Sequence, residues 1–120
     1  MFNRILVIAL SLALMPAVLW AAPPPPSRTY FSTPMRASWS IVYTHQHPRV
    51  WVYHYVARGS EPGLFLSSGE FHVSKFSNRV EFIDSVRGVH ATGHIYPDAT
   101  MLIYIPVQVG LWPPHWETLR

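Results

Sequence analysis

The chain has 120 residues, 49% of them hydrophobic and 12% charged, and a formal net charge of +3. That length suits one small domain. The absence of cysteine excludes a disulfide framework, thiol catalysis and thiolate metal sites together, so a folded domain must rely on its apolar core.

The first 21 residues carry the three parts of an export signal. Arg4 is the positive charge ahead of an apolar run from Ile5 to Leu14, and Pro16 breaks the run before the small residues Ala21 and Ala22. Cleavage is expected after Ala21, because a cut after Ala22 would leave Trp20 at −3 and Pro23 at +1. An uncleaved anchor is the rival reading. It is the weaker one, since the span from Ile5 to Trp20 falls short of the ~20 residues that cross hydrocarbon. Removing Arg4 leaves eight basic and six acidic side chains, a net +2. The basic residues stand singly and form no stripe, which argues against nucleic acid as a partner. An exported chain with neither cysteine nor an Asn-x-Ser/Thr acceptor suits the bacterial periplasm or cell surface.

Residues 22–35 read as a Pro-rich flexible lead-in, because the run Pro23 to Pro26 is extended and packs nothing of its own. Residues 36–110 read as an all-β domain. Val, Ile, Tyr, Phe and Trp recur in short alternating runs punctuated by turn residues. The runs are Trp39 to Tyr43, Val50 to Val56, Leu64 to Val73 with a break at 67–69, Arg79 to Val86, Val89 to Tyr96, and Met101 to Val107. Six or seven short antiparallel strands in a meander are expected, forming a small open barrel or a bent sheet. Residues 111–120 read as a Trp/Pro tail. Pro113 and Pro114 exclude it from a sheet interior, so Trp112 and Trp116 are expected to strap back over the domain or to contact a partner.

The candidate sites follow from strand phase. His45 and His47 have the spacing that places two imidazoles on one side of a strand, ~6.5–7 Å apart, as in zinc and copper sites. Pro48 follows them, however, and no third ligand is near in sequence. His90 and His94 share a strand face ~13 Å apart, too far to hold one ion, while the small residues Ala91 and Gly93 between them suggest a close backbone approach or a bulge. His54, in phase with Val50, Val52 and Val56, and Asp84, in phase with Val80, Phe82 and Val86, are expected to face inward as a buried polar pair. Trp51, Tyr53 and Tyr55 take the opposite face of the His54 strand. They either pack as core beneath the Trp112/Trp116 strap or form an exposed aromatic binding platform. Glu70 and His72 share a face at the surface, and Glu81 and Asp84 point to opposite faces.

The sequence contains no nucleophile elbow, phosphate-binding glycine loop or His-Glu-x-x-His zinc motif. The expected function is therefore that of an exported, non-catalytic binding domain acting by protein–protein contact, as an envelope accessory or inhibitor protein does. No cofactor is implied, and membrane contact is expected only through an uncleaved export segment. The alternative is a periplasmic metal-binding protein built on His45, His47 and one further histidine. A third reading is a small hydrolase-like enzyme using His54 and Asp84.

Overall fold

Alternation between inward apolar and outward polar side chains carries the chain through eight antiparallel strands. They are β1 (Arg28–Thr33), β2 (Ser38–Gln46), β3 (Val50–Arg58), β4 (Phe65–Ser74), β5 (Arg79–Asp84), β6 (His90–Ile95), β7 (Met101–Ile105) and β8 (His115–Leu119). The computed structural model describes residues 24–60, 64–88 and 90–120. The expected export segment, residues 1–21, lies outside them. Each strand pairs with the next, and β8 returns to β1 through Ser32 opposite Leu119 and Thr33 opposite Thr118. The result is a closed up-and-down barrel. Reciprocal backbone bonds between Phe31 and Arg120, at 2.9 and 3.0 Å, lock that seam.

The all-β antiparallel meander is as expected, but the strand count and closure are corrected. Two segments set aside as lead-in and tail supply the missing strands. In β1, Tyr30 and Ser32 point inward and Thr29, Phe31 and Thr33 outward; in β8, Glu117 and Leu119 point inward and Trp116 outward. Pro113 and Pro114 do not prevent this, because both precede β8 and no ladder bond is asked of them. A body of this size closes on eight strands because an eight-stranded barrel is just wide enough for side chains to fill.

The filling is aromatic. Tyr53, Phe71, Phe82, Tyr55 and Trp39 form a continuous stack, with ring centroids 5.5 Å apart for Tyr53–Phe71, 4.3 Å for Phe71–Phe82 and 5.1 Å for Trp39–Phe82. Met101, Ile103 and Leu119 complete the packing from the closing strands. Gly69 and Gly93 let strands approach at the tightest places. A Cβ on Gly69 would lie 1.9 Å from the Ile83 carbonyl oxygen, and one on Gly93 1.9 Å from that of Leu102.

The two ends of the barrel differ. At the base, the Tyr53 hydroxyl donates to the Pro25 carbonyl at 2.5 Å, and the Tyr43 amide donates to Ser27 Oγ at 2.8 Å. The proline segment from Pro24 is thereby pinned across that end, where a flexible lead-in was expected. The connections β1–β2, β3–β4, β5–β6 and β7–β8 gather at the other end, which is the mouth.

Candidate site at the barrel mouth

The aromatic stack stops short of the mouth and leaves a cavity of about 70 Å³. Trp39, Tyr55 and Phe82 form its floor, Ala57, Ala91 and Ile105 its wall, and Met35, Leu66, Val107 and Val109 its upper rim. Small side chains make the space. Ala57 and Ala91 stand where β3 and β6 face the rings, and a larger residue at either would occupy it. An apolar cavity of ~150 Å³ admits benzene and a drug-sized ligand needs ~300 Å³ or more, so this space by itself holds a single small apolar group; a wider, more open space of about 330 Å³ adjoins it along Met35, Leu66 and Val109. The loops around it carry exposed apolar residues: Leu64 and Phe65, Val86, Leu111 and Trp112. Leu111 is 96% exposed, at the tip of the Val109–Trp112 turn.

One side of the cavity is polar. The Tyr55 hydroxyl and Ser67 Oγ are 2.6 Å apart, with Asp84 and Arg87 beside them in the lining. Asp84 caps its own turn, accepting from the amides of Val86 at 2.8 Å and Arg87 at 2.7 Å. Burial opposes its charge. The Arg87 and Val86 amides, the Ser67 hydroxyl and the Arg87 guanidinium outweigh that and hold its carboxyl below the ordinary carboxylate range. Burial keeps the Tyr55 phenol protonated above its usual range, against the pull of Ser67 and with a smaller push from Asp84. The cluster is thus a fixed anion with donors turned toward it.

A second polar group supports the rim from inside. Glu117 is fully buried, and its Oε1 accepts the Met35 amide at 2.9 Å and meets His115 Nε2 at 2.7 Å. His115 Nδ1 lies 2.7 Å from the Pro113 carbonyl. The His115–Glu117 pair thus bridges the Pro113 carbonyl and the Met35 amide. It ties the β1–β2 connection, through Met35, to the β7–β8 connection, through Pro113. Glu117 Oε2 is buried and accepts nothing from the described residues.

The sequence-derived candidates are dispersed. Tyr53 and Tyr55 are inside the barrel and Trp51 packs against its core, so these three do not form a surface platform. Only Tyr55 reaches the mouth. His54 is exposed, opposite Val42 and Glu70 on its neighbouring strands. The expected His54–Asp84 pair is not formed, because Tyr53 and Tyr55 take the inner face of β3 and His54 between them points outward. Asp84 does face the mouth. A register irregularity between Tyr43 and His45 precedes the exposed histidines. His45 Nδ1 meets Thr44 Oγ1 at 3.0 Å, and the Arg49 amide approaches His47 Nδ1 at 3.5 Å. Among the described residues no group of three His, Cys, Asp or Glu stands close enough to hold a metal ion. Glu70 and His72 pair at the surface, 3.0 Å apart. Trp116 is 53% exposed and stacks on Tyr104 outside the barrel, and Trp112 lies against His115 at the rim. Neither tryptophan straps over the sheet. Ser67, Arg87 and Glu117 were missed by sequence reasoning; the signal available for Glu117 was its alternation with His115 and Leu119.

No family model, characterised protein or solved structure matches this chain. The site is therefore read from its own geometry.

Proposed function

We propose that this protein is an exported, non-catalytic binding barrel that acts by protein–protein contact, taking one apolar group of a partner into its mouth. The observation that carries this reading is the small apolar cavity at the open end of a barrel whose other end is plugged, ringed by exposed apolar side chains on the β3–β4, β5–β6 and β7–β8 connections. Exposed apolar residues gathered around a concave site mark a contact surface. Binding supports the reading better than catalysis does. Asp84 is spent on its own turn, and His115 at the rim has both ring nitrogens engaged.

The test is a cavity-filling substitution. Ala91→Leu places three more carbons in the cavity without touching the outer surface. Cross-linking in the envelope fraction is expected to capture a partner with the wild-type protein and to lose it with Ala91→Leu. Near-UV circular dichroism and the melting temperature check that the variant is folded. A folded Ala91→Leu protein that retains the same partner would overturn the proposal.

A further inference from the structure

We infer that the base of the barrel docks on an anionic lipid surface, with Arg28, Arg49, Lys75 and Arg79 against the headgroups and Phe76 and Tyr96 among them. This goes beyond the binding reading of the mouth, and it leaves the mouth facing away from the membrane.

The topology gathers basic residues that stand singly in the sequence. Arg28 and Arg79 open β1 and β5 at the base, and Arg49 and Lys75 sit in the β2–β3 and β4–β5 connections at the same end. The Lys75 amide donates to the Arg49 carbonyl at 2.9 Å, and Lys75 Nζ donates to Gln46 Oε1 at 2.9 Å. These two connections therefore make one surface. The β6–β7 connection joins it where the Ile95 amide donates to the Asn78 carbonyl at 2.8 Å. Among the described residues of these connections the acidic side chain is Asp98. Its carboxylate is taken up by the Thr100 amide and hydroxyl, at 3.0 and 2.6 Å, with Arg120 close by. Glu81 stands one outward position further up β5 from Arg79. Cations thus predominate at this end.

Aromatic rings stand among those cations. Phe76, next to Lys75, is 60% exposed, and Tyr96 at the end of β6 is 44% exposed. Exposed rings beside basic side chains suit the headgroup level of a bilayer. Attraction of Lys and Arg to an anionic leaflet acts over a Debye length of about 8–10 Å.

The path of the chain decides which polyanion this end meets. Pro25 and Ser27 are hydrogen-bonded across the base, so the chain enters the barrel there. Ala22 and Pro23 alone separate Pro24 from Ala21, the last residue of the expected export segment. That stretch reaches at most about 10 Å. On the export reading, the base is held within a Debye length of the bilayer until cleavage, with its cations turned toward the headgroups. A lipid surface is the polyanion beside which this end is placed.

The test is co-sedimentation of the mature chain from Ala22 with vesicles at low salt. One set is equimolar phosphatidylglycerol and phosphatidylcholine, the other phosphatidylcholine alone. Binding to the mixed vesicles is expected to be at least roughly tenfold tighter and to weaken as salt is raised. Arg49→Gln combined with Lys75→Gln is expected to weaken it at least roughly tenfold, and Phe76→Ala several-fold. Arg36→Gln combined with Arg58→Gln removes the same charge from exposed positions at the mouth and is expected to leave binding unchanged. Near-UV circular dichroism checks that each variant is folded. Equal binding to the two kinds of vesicle would overturn the inference. So would an equal loss with the mouth pair, which would make net charge or the mouth the cause. Tighter binding of a single-stranded oligonucleotide than of the mixed vesicles would overturn it in favour of nucleic acid.

Discussion

Glu117 illustrates how one side chain shapes a mouth it does not line. Its Oε1 holds Met35 on one connection and, through His115, Pro113 on another. Cutting it back to Ala leaves the Met35 amide and the imidazole without a partner inside the barrel and opens a void. Breaking a buried pair from one side costs about 3–5 kcal/mol, so urea unfolding of Glu117→Ala is expected to show a loss of that size. Glu117→Gln keeps the shape and one acceptor and should lose less, about 1–3 kcal/mol. In both variants the Met35 amide should exchange faster with solvent. A Glu117→Ala protein as stable as wild type, with Met35 still protected, would show that the dyad does not hold the rim. The residue was hard to see in the sequence for a physical reason: an inward Glu contradicts the apolar-in pattern by which strands are recognised, and its satisfaction depends on Met35, 82 positions away.

At the scale of elements, β5 and β7 were legible because their periodicity is clean: Val80 and Phe82 point in, and so do Met101, Ile103 and Ile105. β4 was read as broken at 67–69, yet Ser67, Ser68 and Gly69 pair with Ala57, Val56 and Tyr55 in one unbroken strand, and β3, bulky on both faces, was read with the wrong face inward. β1 and β8 were not legible, and each was masked by its neighbourhood. Pro23 to Pro26 drew Arg28–Thr33 into an extended lead-in, and Trp112-Pro113-Pro114 drew His115–Leu119 into a tail. Both strands find their partners only across the seam, which local sequence does not report. The mouth cavity was illegible too, since Trp39, Tyr55 and Phe82 meet only once the sheet closes. A consequence for β8 separates a strand from a strap. Removing residues 111–120 takes away the closing strand and bares the edges of β1 and β7 as well as the core around Met101 and Ile103. The truncated chain is expected to lose its cooperative melting transition and near-UV signal and to aggregate through the two exposed edges. A cooperative transition lowered by only a few degrees would show that the barrel does not need β8.

The whole molecule is a barrel plugged at one end and open at the other, and its buried tyrosines set its stability at high pH. Tyr30, Tyr53 and Tyr55 all titrate above the ordinary 10.0 of a phenol, chiefly because burial disfavours the phenolate. For groups whose folded-state pKa is raised, stability is present in full below the unfolded value near 10 and drains away as the pH climbs toward the folded values. The protein is therefore expected to unfold on the alkaline side, with tyrosinate absorbance rising together with the loss of near-UV circular dichroism. Tyr53→Phe tests the cause. At neutral pH it removes the hydroxyl bond to Pro25 and should cost about 1 kcal/mol. Above pH 10 the variant has one fewer phenol to ionise on unfolding, so its deficit should shrink and then reverse. Urea midpoints of the two proteins measured from neutral pH upward should cross. Curves that stay parallel would mean that Tyr53 ionises as freely in the folded barrel as in the unfolded chain, and that the Pro25 contact leaves the base open to water. A base that stays sealed leaves the mouth, with Trp39, Tyr55 and Phe82 beneath it, as the open end of the barrel.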